Sequence, residues 1–201
     1  MLKVGLTGGM ACGKSFAAAA LGKLGCHIIE ADDVGHEVLN PGGEAYDAVL
    51  DEFGDEILDE RGMIDRARLA ERVFGDPAKL EKLNAIVHPA VRARASRQFR
   101  EIGAREPHSV VVYVAAILIE SGAYKEVDKI IVVSCAREQQ IARAMHRPDA
   151  TEADVMARLE RQMPLEKKKE FANYIIDTGG TKEDTLRQTE IVYQDLRRLA
   201  S

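Results

Sequence analysis

An apolar run, Leu2–Leu6, and an alanine-rich stretch, Ser15–Leu24, enclose the octet Gly8-Gly9-Met10-Ala11-Cys12-Gly13-Lys14-Ser15. The octet fits G-x-x-x-x-G-K-[ST], the loop that holds nucleotide phosphates, and it constrains this chain more than any other feature. Gly8, Gly9 and Gly13 let the backbone take positive φ and approach an anion with no Cβ in the way. Successive N–H groups then point inward, and the helix that starts near Lys14 adds the positive end of its dipole. Lys14 is placed to reach the β- and γ-phosphates, and the Ser15 hydroxyl to ligate Mg²⁺. Leu2–Leu6 reads as the buried strand, and Ser15–Leu24 as the helix, that such a loop joins. Together these residues point to a bound nucleoside triphosphate. The nucleotide is read as ATP in preference to GTP.

A length of 201 residues allows one or two domains with a substantial core. Apolar residues make up 46% and charged residues 30%, the balance of a globular protein. A net charge of −5 supplies no global field for nucleic acid or an anionic membrane, so neither is expected as a partner. The most apolar stretch, Val110–Ile119, is too short to span a bilayer. Met1 leads straight into the first strand, which leaves no room for a signal peptide. Cys12, Cys26 and Cys135 form no C-x-x-C pair, which argues for a reducing, cytoplasmic setting and against a zinc site. Cys12 lies within the phosphate loop, where amide dipoles favour a thiolate that alkylates readily and is protected by bound ATP.

Strands are predicted at Leu2–Leu6, Cys26–Glu30, Ser109–Ile119, Lys129–Ser134 and Tyr174–Asp177. Helical patterns separate them, the signature of an α/β fold with a parallel sheet covered on both faces. Ser109–Ile119 is unbroken apolar, as a central strand requires. Between the second and third strands lie helical segments at Asp33–Leu39, Glu44–Phe53, Asp65–Phe74 and Pro77–Phe99, punctuated by Gly- and Pro-containing turns. They read as a helical insertion beside the sheet, suited to a second substrate or to packing alone. In the last segment, Leu186, Ile191, Val192, Leu196 and Leu199 predict one helical stripe packing back on the sheet.

Asp32 and Asp33 follow the second strand, at the edge where the phosphate loop also opens. A carboxylate there can accept a proton from an attacking hydroxyl. Asp is also a good N-cap, so Asp33 can cap the next helix while Asp32 faces the cleft. After the fourth strand, Ala136–Arg147 carries Arg137, Arg143 and Arg147 against one acid, Glu138. Arg143 and Arg147, four apart, share a helix face that fits either a phosphate-clamping lid or a solvated surface. Thr151 is placed to cap the following helix, Glu152–Met163. Lys167-Lys168-Lys169 reads as a solvated charged face. In Leu83-Asn84-Ala85-Ile86-Val87-His88-Pro89, the proline kinks or ends a helix and frees carbonyls near Asn84 and Ala85. His88 there suits a structural hydrogen-bonder or a ligand. Glu120, at the end of the third strand, lies on the cleft edge.

Taken together, these positions resemble the dephospho-CoA kinase family over nearly the whole chain. The resemblance opens with Val4–Ser15 and continues through Ile29-Glu30-Ala31-Asp32, His36-Glu37-Val38 and Pro41-Gly42. Leu83–Pro89 is its most family-specific segment. Leu118-Ile119-Glu120 with Gly122, Arg143–Arg147, Gln162-Met163-Pro164 and Ala172–Asp177 complete it. The family transfers the γ-phosphoryl group of ATP, with Mg²⁺, to the ribose 3′-hydroxyl of dephospho-CoA, the last step of coenzyme A synthesis. The resemblance therefore implies a P-loop three-layer fold of five parallel strands. Its nucleotide-binding core would comprise residues 1–32, 108–136 and 172–201, with a CoA-binding insertion at 33–107 and a lid at 137–171.

It also implies roles for individual residues. Asp32 becomes the general base, Lys14 a phosphate ligand and Arg143 a transition-state clamp supported by Arg147. Gly8, Gly9, Ala11, Cys12, Gly13, Lys14, Ser15 and Phe16 contact the nucleotide, Ser15 holds Mg²⁺, and Asn84, His88, Pro89 and Glu120 contact the acceptor. The chain departs from the family pattern at Glu30 (commonly Asp), Phe16 (often a hydroxyl residue), Ala116 (commonly Pro), Asn173 (commonly Asp) and Thr178 (commonly Asn). The Phe16 side chain cannot contact a phosphate. The competing readings are a small P-loop kinase acting on a nucleoside monophosphate, with Arg66, Arg68 and Arg72 gripping the acceptor, and a regulatory P-loop ATPase. The kinase readings imply a monomer or weak homo-oligomer acting on small molecules.

Overall fold

The computed structural model describes residues 1–146 and 150–201, without the side chains of Arg158 and Arg161. Five strands form one sheet: β1 (Leu2–Gly8), β2 (His27–Glu30), β3 (Val110–Val114), β4 (Lys129–Ser134) and β5 (Tyr174–Asp177). Their order is β2-β3-β1-β4-β5 and every pairing is parallel. β1 lies in the middle, with Leu2–Leu6 against Val110–Val114 on one side and Val4–Gly8 against Lys129–Val133 on the other. β3, flanked by β2 and β1, is buried along its whole length, which is why it reads as a continuous apolar run.

The chain divides into two compact units, residues 1–30 with 101–201 and residues 31–100. In the first, α1 (Lys14–Lys23) owes its helix to four consecutive alanines, the best helix formers, and buries Ala17, Ala18, Ala20 and Leu21. It stops in a Schellman motif, Cys26 N–H on Leu21 O and Gly25 N–H on Gly22 O, each 3.0 Å, which turns the chain into β2. The core joins Val4, Leu6, Ala17, Leu21, Val112, Ile131, Val133, Ile176, Val192 and Leu196. The unit also contains α6 (Arg137–Met145), α7 (Glu152–Arg161), α8 (Leu165–Lys169) and α9 (Lys182–Ala200). Thr151 caps α7 by accepting from Asp154 N–H, as its position in sequence predicts.

The second unit holds α2 (Ala31–Val38), α3 (Tyr46–Phe53), α4 (Arg66–Val73) and most of α5 (Pro77–Arg105), which runs on into the first unit. Val34, Val38, Val49, Phe53, Ile57 and Leu69 are buried there. Among the described residues no helix is long and apolar enough to cross a membrane.

The structure corrects the sequence reading in four places. The third strand stops at Val114, and the apolar residues beyond it enter turns closed by Ser121 N–H on Ile117 O and Gly122 N–H on Ile119 O. Leu118 and Ile119 are nevertheless buried, so the run reports burial and not extension. α2 starts directly after β2, so Asp32 and Asp33 sit inside its first turn and Asp33 is not the N-cap. There both carboxylates meet the positive end of the helix dipole. Pro89 does not end its helix; α5 continues through it.

In α9 the buried stripe is Thr185, Thr189, Val192, Leu196 and Ala200, while Leu186, Ile191 and Leu199 face water. The threonines can be buried because their hydroxyls donate back to the Thr181 and Thr185 carbonyls, at 3.1 and 2.8 Å. This assignment is directly testable by thermal melts. Ile191→Lys should leave Tm within about 2 °C, as surface substitutions do. Thr189→Lys buries an unpaired charge and should lose about 3–5 kcal/mol, a fall of roughly 10 °C or more.

Candidate active site

The phosphate loop leaves β1 at Gly8, whose backbone lies hard against β4. A Cβ built there would stand 2.2 Å from the Val133 carbonyl oxygen, a clash with strand backbone that has nowhere to go. Gly13 caps α1 in the left-handed region, at φ 79° and ψ 25°. The second left-handed position is Ala11, at φ 55°, the one non-glycine residue with positive φ among those described. That geometry costs an L-residue about 1–2 kcal/mol. Gly9 serves differently from expectation: it supplies space, since a Cβ there would meet Cys12 Sγ and Gln140 Oε1, each at 2.9 Å. Lys14 Nζ donates to the carbonyls of Gly9 (3.0 Å) and Gly8 (3.3 Å). Ser15, in the first turn of α1, is exposed.

Thr178 ties this loop to its neighbours. Its hydroxyl is placed to donate to Cys12 O at 2.9 Å and Ser134 O at 3.2 Å, and its own N–H bonds Ser134 O at 2.9 Å. Arg143 of α6 donates to the same residue, Nη1 to Oγ1 at 3.1 Å and Nη2 to the carbonyl at 2.7 Å. The arginine predicted as a clamp is therefore linked to the loop through one hydroxyl. Gln139 accepts from Ala136 N–H and donates to Gly179 O, at 3.2 and 2.9 Å, which fixes α6 against the loop after β5. A cavity of about 350 Å³ opens beside Gly9, lined among others by Ser134, Arg137, Gln140, Gln162 and Lys169. Arg147 lies outside the described residues.

Cys12 departs from expectation. It is fully buried, and its sulfur is 2.8 Å from that of Cys135. Burial first, then the hydrogen bond to Cys135, push the thiol up to about 12, and the nearby Lys14 charge offsets this only in part. The loop amides do not make it a thiolate.

Lys168 and Glu120 are the other surprise. Lys168 is fully buried, not solvated: its Nζ donates to Glu120 Oε1 at 2.9 Å and to Ala116 O at 2.6 Å. Glu120 lies beyond the end of β3 and accepts also from Met163 N–H at 3.0 Å. Burial would raise its carboxyl, but the hydrogen bonds from Lys168 and Met163 and the Lys168 charge prevail and hold it below the usual range.

In the second unit, Asp32 is exposed on the first turn of α2. Asn84 and His88, four apart on α5, are half-buried on one helix face, and Pro89 beside them is exposed. Burial, with the Arg92 charge, lowers the His88 imidazole below its ordinary value. Arg66 is hydrogen-bonded to His36, Arg68 pairs with Asp65 at 3.5 Å, and Arg72 pairs with Glu56 at 2.8 Å. Each of the three is thus engaged within its own unit.

The family model for dephospho-CoA kinase matches residues 2–184. The chain belongs to the dephospho-CoA kinase family. A dephospho-CoA kinase of Aquifex aeolicus is 38% identical over 198 residues, covering 98% of this chain and 99% of that one. A crystal structure of a Thermus thermophilus protein superposes with a TM-score of 0.79 at 29% identity, covering 96% of this chain and 97% of that one. A dephospho-CoA kinase from Campylobacter jejuni shares the fold, with a TM-score of 0.68 at 24% identity and 96% of each chain covered.

In the sequence of this member of the dephospho-CoA kinase family, Gln140 gives no signal, Lys168 reads as part of a solvated face and Thr178 enters only as a departure from the pattern. The signals were weak. A lysine inside Lys167-Lys168-Lys169 looks solvated, and a threonine after a strand looks like a turn residue. A thiol titrating near 12 is thiolate at pH 8 to roughly one part in 10⁴. Iodoacetamide should therefore label native Cys12 slowly at pH 8, at the same rate with and without ATP, and quickly only after denaturation. Fast labelling that ATP suppresses would show the loop thiol to be exposed and ionised.

Proposed function

We propose that this protein transfers the γ-phosphoryl group of ATP to the ribose 3′-hydroxyl of dephospho-CoA, releasing ADP and coenzyme A in the last step of coenzyme A synthesis. The observation that carries the reading is the convergence of Lys14, Ser15 and Arg143 on one preset loop, with Arg143 joined to Cys12 O through the Thr178 hydroxyl. Phosphoryl transfer asks a protein for positioning and charge neutralisation, and these residues supply both. Loop N–H groups and the amino end of α1 take up the phosphates. Gly8, Gly9 and Ala11 through Phe16 form that contact set, with Lys14 as the mobile cation.

The donor set fits Mg²⁺: one exposed hard oxygen, Ser15 Oγ, suits an ion that keeps several waters and completes its shell with phosphate oxygens. When bound, the ion neutralises charge on the β- and γ-phosphates. Asp32, two residues past the carboxyl end of β2, orients the acceptor hydroxyl and takes its proton. In a parallel sheet that edge is shared by every strand's carboxyl end, the loop after β1 included. Arg143, supported by Arg147, stabilises the transferring group.

Residues 137–171 act as a lid that excludes water. Residues 33–107 receive dephospho-CoA, with Asn84, His88, Pro89 and Glu120 as contacts. The protein works in the cytoplasm as a monomer or weak homo-oligomer, without nucleic acid or membrane.

ADP release should be measured with ATP and, in turn, dephospho-CoA, AMP, CMP or no acceptor. Only dephospho-CoA should sustain turnover; equal rates with AMP, or without acceptor, would overturn the reading. Asp32→Ala should lower kcat by ~10²–10⁴ while the KM for ATP stays within a few fold. Arg143→Met should lower kcat by ~10³–10⁵. Near-normal turnover of either variant removes that residue from the mechanism.

A further inference from the structure

Lys168 is a cation with no exposed surface, and no part of the proposed chemistry uses it. Its two acceptors, Ala116 O and Glu120 Oε1, stand at either end of the turn after β3, and each also holds a further segment of the first unit. Ala116 O, which accepts from Lys168 at 2.6 Å, also accepts from Thr7 Oγ1 at 3.3 Å, and Thr7 is the residue that leads into the phosphate loop. Glu120 Oε1, 2.9 Å from the ammonium, accepts the Met163 N–H, where α7 gives way to α8. One buried ammonium therefore links three segments. They are the end of β1, the turn that follows β3 and the connection between α7 and α8.

A pair like this is a poor way to gain stability. Lys168 is fully buried while the Glu120 side chain keeps 22% of its surface, so desolvating the ammonium offsets much of the attraction, and apolar residues of similar size often hold a site as well. What the pair gives is geometry: an ammonium donating to two fixed acceptors cannot slide as a leucine can. The turn after β3 needs such a brace, because it left the ladder at Val114 and is held by turn bonds.

We propose that Lys168 is a positioning residue for phosphoryl transfer, holding the Ala116–Glu120 turn and the Met163 connection between α7 and α8 in register with the phosphate loop. The proposal rests on the reading of this protein as a dephospho-CoA kinase whose residues 137–171 close over the nucleotide. It acts through Ala116, Glu120 and Met163, and needs no contact between Lys168 and substrate. Misplacing reacting groups by about 1 Å can cost ~10²-fold in rate. The effect belongs in kcat, since the loop backbone and Lys14 that bind ATP are held by Gly8 and Thr178.

The test is the double variant Lys168→Met with Glu120→Leu, which leaves no orphaned charge, run beside Glu120→Gln, which keeps the shape and an acceptor for Met163 N–H. Tm, kcat and the KM for ATP and for dephospho-CoA are measured on each and on the unsubstituted protein. The proposal expects the double variant to melt within a few degrees of the parent, with kcat down ~10–100-fold and the KM for ATP within about threefold. Glu120→Gln should fall between the two in kcat.

A double variant with parental Tm and parental kcat overturns the proposal. So does one that fails to fold while Glu120→Gln keeps parental kcat, because the pair is then a stability element alone. An unsubstituted protein inactive with dephospho-CoA sinks the functional reading itself, and the two failures are told apart by that control.

Discussion

The hydroxyl of Thr178 sits where the phosphate loop, the end of β4 and α6 meet, and the working geometry of the first unit depends on it. It is 6% exposed and serves two carbonyls, Cys12 O and Ser134 O, while accepting from Arg143. Away from water such bonds are electrostatically strong and expensive to leave unmade. By fixing the Cys12 carbonyl toward the sheet, the hydroxyl sets the orientation of the peptide next to Gly13, and with it the start of α1. Because the loop must also pass Gly8 against the Val133 carbonyl, it is clamped at both ends, by absence of a side chain at one and by a side chain at the other.

Between those clamps the backbone is strained. Ala11 holds a left-handed conformation that an L-residue adopts at a cost, and a fully buried ammonium lies behind the turn after β3. Both features lower stability relative to simpler alternatives, and both lie in the unit that carries Lys14 and Arg143. Local rules broken in one neighbourhood, with regular strands and well-capped helices elsewhere, mark the place where a fold serves chemistry. The second unit shows the opposite economy: charges paired near the surface, such as Arg94 with Glu37 and Glu44, leave its helices without a fully buried ion.

Where the sequence misled, it did so for two reasons. Hydropathy reports burial, not backbone path, so Val110–Ile119 looked like one strand although Leu118 and Ile119 are buried in turns. Residue type reports average behaviour, which a neighbour can reverse. Thr185 and Thr189 are buried because the helix offers them carbonyls four residues back. Lys168 is buried because Ala116 and Glu120 receive it. Cys12 is kept protonated by burial, to which the neighbouring Cys135 adds. In each case the decisive partner is distant in sequence or invisible to a scale that weighs residues singly.

The order of elements, the parallel sheet and the phosphate loop were set by the sequence alone. Glycine placement, alanine-rich helix and continuous apolar runs act over a few residues, and backbone sterics and hydrophobic periodicity are local physics. Thr178 against Cys12 and Arg143, and Lys168 against Ala116 and Glu120, were decided only by the tertiary structure. Hydrogen bonds and ion pairs take their strength from distance, direction and exclusion of water, and none of these exists until separate segments are packed together.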